Sequence, residues 1–251
     1  MIAVSLSPVI AVIPARYAST RLPGKALLDR TGKPLVQHVF ENVRRARQVD
    51  RVIVATDDQR IVEAVERFGG EAVMTRSDHP NGTSRIAEVA GEIESALIVN
   101  VQGDEPEIEP ELIDLAIQTL KDSSSCVMST LGSPFASDED PSDPNIVKVV
   151  VDASGRALSF SRSVKPSDGG QEDPPLKHIG LHVYRRDFLM KYVTLPATPL
   201  EQAESLEQLR VLEHGYDIAV AVSKVSTHGI DTPQQYEAFV ARYQESQLRA
   251  P

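Results

Sequence analysis

Along the chain, apolar runs of about five residues alternate with longer stretches whose apolar positions recur at helical spacing. That alternation is the βαβ signature of an open, mostly parallel sheet. It predicts buried strands at Val9 to Ile13, Arg51 to Thr56, Glu71 to Met74, Ala96 to Val101, Cys126 to Leu131 and Asp217 to Val222. Helical spacing predicts helices over Leu35 to Gln48, Gln59 to Phe68, Thr83 to Glu92, Pro110 to Lys121 and Thr232 to Gln247, with Pro233 suited to a first turn. From Ser133 to about Tyr184 prolines crowd around two short β-like runs, Ile146 to Val151 and Ala157 to Phe160. The expectation is one α/β domain over 1–251 with an insertion or subdomain at about 133–184.

Composition narrows the function classes. At 251 residues, 41 % hydrophobic and 25 % charged, the chain can bury a core and has an ordinary globular make-up. A net charge of −10 argues against nonspecific nucleic-acid binding. Cys126 is the only cysteine, which excludes an intrachain disulfide and a Cys-based zinc site and suggests a buried thiol on a strand. The opening MIAVSLSPVIAVIPA lacks a basic n-region and is punctuated by Pro8 and Pro14, so it reads as a buried strand. No uncharged run approaches the ~20 residues of a membrane span, so the expected location is the cytoplasm.

In sheets of this type ligands collect beyond the C-terminal ends of the strands. Behind the first strand, PARYASTRLPGKAL places Arg16, Arg21 and Lys25 around Gly24 with no acid among them. It is not a P-loop, since the first glycine of that motif is missing and Ala26 follows Lys25. Spacing leaves a phosphate cradle and a solvated turn equally open. Behind the fourth strand, IVNVQGDEPEIEP carries Asp104 just past Gly103, a position suited to Mg²⁺ and substrate phosphates; the later glutamates suit a helix N-terminus. Asp231 in THGIDTPQQYE reads alone as a helix N-cap, and paired with Asp104 as a second metal carboxylate. Arg44, Arg45 and Arg47 read as a solvated helix face. His178 and His182 in KHIGLHVY have metal spacing only on a helix, whereas the Ile179, Leu181, Val183 alternation says strand, which would set the two rings far apart and disfavour zinc.

Taken in order, PARYASTRLPGKAL, VIVATDD, NGTSR, VNVQGDEP, VKVVVDASGRALSFSR, KHIGLHVY, SLEQLRVLE and GIDTP make a nearly full-length pattern. It resembles the CMP-Kdo synthetases, the 3-deoxy-manno-octulosonate cytidylyltransferases of lipopolysaccharide synthesis. The resemblance implies a Rossmann-like nucleotidyltransferase fold, usually a homodimer, that turns CTP and Kdo into CMP-Kdo and pyrophosphate with Mg²⁺. It implies that Arg16 and Lys25 bind the CTP phosphates with Arg21 as helper, and that Asp104 and Asp231 hold the metal. The segment around Thr83, with Arg85, would face the nucleotide. Gln102, Arg162, His178, Tyr184, Glu207 and Gln208 would form the sugar pocket. Ser84 stands where the family commonly has an acid, His182 where it has an aromatic, and the segment 163–175 replaces a Pro-rich stretch. Those departures fall on the sugar side and the insertion, leaving Kdo and an 8-amino relative both open.

Overall fold

A computed structural model describes residues 8–249 except 20, 138, 164–173, 226 and 228. Residues 1–7 of the expected opening strand and 164–173 of the atypical segment thus lie outside the described residues. In chain order the elements are β1 (Val9–Ala15), α1 (Leu35–Arg44), β2 (Arg51–Thr56), α2 (Gln59–Arg67), β3 (Glu71–Met74), α3 (Gly82–Gly91), β4 (Leu97–Asn100) and α4 (Pro110–Asp122). There follow β5 (Met128–Ser133), β6 (Lys148–Val151), β7 (Ala157–Ser161), β8 (Leu176–Arg185), α5 (Arg186–Tyr192), α6 (Pro199–Glu204), α7 (Gln208–Glu213), β9 (Ile218–Val222) and α8 (Pro233–Arg249). Contacts divide the chain into two compact units, one of Met1–Ala96, Asn100–Glu111 and Thr227–Pro251, the other of Leu97–Val99 and Leu112–Ser226.

In the first unit β1 pairs in parallel with β2, and β2 with β3. Val9 to Ile13 are all buried, as expected of a parallel strand covered on both faces. Backbone bonds from Ala96 N to Pro8 O (2.9 Å) and from Val101 N to Val12 O (3.3 Å) fix the residues flanking β4 beside β1. Helix α1 buries Leu35, Val36, Val39, Phe40 and Val43, the apolar stripe its period requires. It ends at Arg44, short of the expected Gln48, because the N–H groups of Arg45 and Ala46 turn back to carbonyls only three residues earlier. Asp58 and Asn81 cap α2 and α3 by accepting from Arg60 N and Ser84 N. A cluster of Leu22, Leu35, Ile230, Tyr236, Phe239 and Val240 ties the loop after β1 to α8.

In the second unit β5 runs parallel to β9 and antiparallel to β8, while β6 pairs antiparallel with both β7 and β8. Cys126 is buried, but it precedes β5 by two residues instead of sitting on the strand. The β5–β8 ladder slips at its middle: Ser129 faces Val183, yet Leu131 faces Ile179, so β8 carries two extra residues in a bulge. The short helices α5, α6 and α7 gather around an Arg210–Glu201 pair whose two hydrogen bonds measure 2.7 and 2.6 Å. Arg210 also lies over the Tyr192 ring, 4.8 Å from its centroid.

Candidate active site

The first unit contains a cavity of about 310 Å³ lined by residues from four loop segments and the start of α3. From the loop after β1 come Arg16, Arg21 and Lys25; from the loop after β4, Gln102, Gly103 and Asp104; Asp231 comes from the segment before α8. His79, Asn81, Gly82 and Arg85 complete the part that carries chemistry. The segments after β1 and β4 converge here, as ligand sites at the strand ends of a parallel sheet do.

Each acidic group is placed by local structure. Gly103 passes so close to β1 that a Cβ there would stand 2.8 Å from the carbonyl oxygen of Pro14. That approach, with the bond from Ile230 N to Asp104 O (2.8 Å), sets Asp104 at the cavity. Asp231 is not the cap of α8. Thr232 takes that role, its Oγ1 accepting from Gln235 N at 3.2 Å while Gln235 Oε1 accepts from Thr232 N at 3.0 Å, a reciprocal capping box. The Asp231 carboxylate is thereby left to the cavity.

Lys25 opens a short 3-10 turn behind Gly24, whose φ of 66° is the left-handed conformation that glycine accepts freely. Its Nζ donates to Asp104 Oδ2 at 2.7 Å, to Ile230 O at 2.8 Å and to Asp231 Oδ1 at 3.1 Å. An ammonium has three N–H donors, so all of them are committed within the protein. Arg21 pairs with Asp231 Oδ2 at 2.8 Å. Arg16 is exposed and makes no ion pair with the described residues. The three loop cations thus differ: one is spent, one shared, one open.

Arg85 is buried and anchored. Its guanidinium donates to Asp57 Oδ2 at 2.8 Å and to Thr75 Oγ1 at 2.5 Å. Thr83 is 2 % exposed and stands outside the cavity lining, in contrast to the site expected around it. His79, absent from the expected set, lines the cavity between Glu88, which meets its Nε2, and Ser84, whose Oγ lies 3.2 Å from its Nδ1. No local pattern points to it, since a lone histidine two residues ahead of the Asn81 cap has no spacing of its own. Glu105, next to Asp104, is also buried; desolvation, helped by the Asp104 charge, pushes its carboxyl up to about 7.

The other residues expected on the sugar side belong to the second unit. Arg162 spends its Nε on Glu204 O (2.9 Å), and its Nη1 lies 3.3 Å from Pro144 O. Tyr184 is 1 % exposed, with its ring against those of His182 and Tyr192. Gln208 is buried with its Nε2 unbonded among the described residues, and Glu207 offers its backbone oxygen to Tyr192 Oη at 3.1 Å. His178 and His182 lie on strand β8 as the alternation predicts, yet they are not far apart: the bulge stacks their rings at 5.4 Å and 22°. Burial holds both imidazoles below the usual range, His182 down to about 4, so both are neutral at physiological pH. Among the described residues no group of three or more His, Cys, Asp or Glu side chains could hold a metal, and no helix is long and apolar enough to cross a membrane.

The model of the cytidylyltransferase family matches residues 10–218. A 3-deoxy-manno-octulosonate cytidylyltransferase of Geobacter metallireducens is 49 % identical over 252 residues, covering 96 % of this chain and 99 % of its own. Another, from Geobacter sulfurreducens, is 52 % identical over 241 residues, covering 91 % and 96 %. The solved structure of a CMP:2-keto-3-deoxy-manno-octonic acid synthetase complexed with CTP superposes with a TM-score of 0.90 at 43 % identity, covering 96 % of this chain and all of that one. The nucleotidyltransferase fold is therefore shared in full. By length, identity and fold together, the chain belongs to the 3-deoxy-manno-octulosonate cytidylyltransferase family.

Proposed function

We propose that the protein transfers CMP from CTP to the anomeric 2-hydroxyl of Kdo, giving CMP-Kdo and pyrophosphate for lipopolysaccharide synthesis. The observation that carries this reading is the convergence of four cationic side chains and two carboxylates on one cavity of a chain belonging to this family. In the reaction the sugar oxygen bonds to the α-phosphorus, the bond from that phosphorus to the bridging β-phosphate oxygen breaks, and the hydroxyl proton is released. Catalysis of such a step is mostly positioning and charge neutralisation.

The open Arg16 is the ready anion contact, and Arg21 can turn from Asp231 to the triphosphate without leaving a buried charge. Lys25 reaches a phosphate oxygen only by giving up one of its three acceptors, so nucleotide binding rearranges the carboxylate pair. Arg85, anchored by Asp57 and Thr75, presents a fixed positive wall. His79, Asn81 and Gly82 take the place expected of Thr83 beside the nucleotide.

Asp104 Oδ2, Asp231 Oδ1 and the Ile230 carbonyl oxygen already meet at one cationic nitrogen. Such a set of hard oxygen donors fits Mg²⁺, whose remaining positions are filled by water and substrate phosphates. In this reading Asp104 and Asp231 hold the ion, which neutralises phosphate charge and lowers the pKa of the attacking hydroxyl when bound. A cytoplasmic homodimer completes the proposal, and a monomeric mass at micromolar concentration would contradict that part.

The experiment is pyrophosphate release from CTP and a panel of ulosonic acids, with products identified by mass spectrometry. CMP-Kdo should form, and Asp104→Asn and Asp231→Asn should each lower kcat by at least about a hundredfold. Because Thr232 caps α8, the Asp231 variant should do so with little loss of stability. Full turnover by Asp104→Asn would remove the metal role, and no product with Kdo would remove the substrate.

A further inference from the structure

At the β5–β8 bulge two β8 carbonyls, those of Ile179 and Leu181, face the side chain of Thr130. Thr130 Oγ1 lies 2.8 Å from Leu181 O, 3.2 Å from Ile179 O and 2.8 Å from His178 Nε2. Carbonyl oxygens only accept, and a hydroxyl carries one proton. With that proton directed at the carbonyls, the hydroxyl meets the imidazole with a lone pair. A 2.8 Å contact is then a hydrogen bond only if His178 Nε2 carries the hydrogen.

A neutral imidazole protonated at Nε2 has a bare lone pair at Nδ1. Burial, together with the neighbouring His182, keeps His178 neutral. Its Nδ1 has no hydrogen-bond partner among the described residues, and His178 as a whole residue keeps part of its surface exposed. Stacking on His182 and an edge contact with Phe160, 5.1 Å between centroids at 75°, hold the ring in plane.

We propose that Thr130 is a positioning residue that locks His178 in the Nε2–H tautomer, so that Nδ1 accepts a hydrogen bond from a hydroxyl of the sugar and rejects its carboxylate. The proposal rests on the reading of His178 as a sugar-pocket residue, while the tautomer itself follows from the Thr130 geometry alone. A carboxylate at Nδ1 would oppose lone pair to lone pair; a hydroxyl, or the ammonium of an amino sugar, supplies the missing proton. The bulge thereby turns a backbone irregularity into a choice of which functional group His178 can read.

The test uses the full-length enzyme. Long-range ¹H–¹⁵N correlation of the His178 ring, assigned with a His178→Phe variant, should show Nε2 protonated and Nδ1 bare in the free protein. Thr130→Val, which neither donates nor accepts, should lose that tautomer preference and raise KM for Kdo about tenfold, the worth of one hydrogen bond, while KM for CTP stays within about twofold. Thr130→Ser, which keeps the hydroxyl, should restore both the spectrum and KM. A wild-type ring protonated at Nδ1 overturns the proposal whatever the sugar, and is readable even if Thr130→Val fails to fold. The expected tautomer combined with an unchanged KM for Kdo in His178→Phe would instead show that His178 does not meet the sugar, and the proposal falls with that reading.

Discussion

Replacing Lys25 with Met keeps an unbranched side chain one heavy atom shorter and removes the ammonium that joins Asp104, Asp231 and the Ile230 carbonyl. The Lys25 side chain is 14 % exposed, and its partners Asp104 and Asp231 are 27 % and 37 % exposed. A hydrogen bond to a charged group nets about 1.5–3 kcal/mol when buried, and partial exposure brings each of these nearer to about 1 kcal/mol. Two oxygens bound to one nitrogen stand roughly 5 Å apart, where two like charges at an effective dielectric near 20 repel by about 3 kcal/mol before solvent screening. The expected loss of folding free energy is therefore about 2–4 kcal/mol at neutral pH. Urea unfolding of wild type and variant, each with chelator and with millimolar MgCl₂, measures it. If the carboxylates form a cation site, added Mg²⁺ should stabilise the variant more than the wild type, because no ammonium has to leave. A loss below about 0.5 kcal/mol, or an equal Mg²⁺ response in both proteins, would refute this account of Lys25.

Four further outcomes are expected. Gly103→Ala forces a Cβ against the Pro14 carbonyl, a backbone atom that cannot rotate away, so it should cost about 1–3 kcal/mol in denaturant unfolding and lower kcat by displacing Asp104. Glu105, raised to about 7 by burial, contributes stability that is complete below its unfolded value near 4.5 and is lost as pH rises to about 7; Glu105→Gln should abolish that loss and gain up to about 3 kcal/mol at pH 8. His178 and His182 are depressed, so their contribution runs the other way, growing as pH rises toward their unfolded value near 6.5, for His182 from about 4, and unfolding of Glu105→Gln across pH 4–8 should expose that rise. Arg210→Met strands Glu201 in a buried site and should cost about 3–5 kcal/mol by the same measurement, with most of it recovered in the double variant Glu201→Gln/Arg210→Met.

The parallel half of the fold was legible because β1 and β2 are continuous apolar runs buried on both faces, whereas β3, expected to be buried, is an edge strand with Glu71 to Val73 half-buried and Met74 exposed. Arg51–Thr56 and Glu71–Met74 match the expected spans, and β1 extends the expected run to Ala15. Helices α5, α6 and α7 were not legible: at seven, six and six residues they are too short to show a period and owe their existence to the Arg210–Glu201 pair and the core they bury. At the site, residue type and strand-end position found the two carboxylates and the cations. They did not show that Lys25 sits between Asp104 and Asp231, since partners 79 and 206 residues away leave no mark on local spacing. Asp231 was ambiguous with a helix cap until Thr232 and Gln235 claimed that function. His79 was missed because a single histidine ahead of a helix has no pattern, and the stacked histidines because a bulge is invisible to a period of two.

That bulge also decouples sheet from surface along the length of the chain. Removing two residues at 180–182 would restore an unbroken ladder between Ser129↔Val183 and the pairs beyond, with every flanking side chain still on its own face. Removing one would flip one side of β8 and unfold it. Length changes at this point are therefore expected to be tolerated in even steps, which makes the middle of β8 a place where ring contacts can change while the flanking ladder keeps its faces.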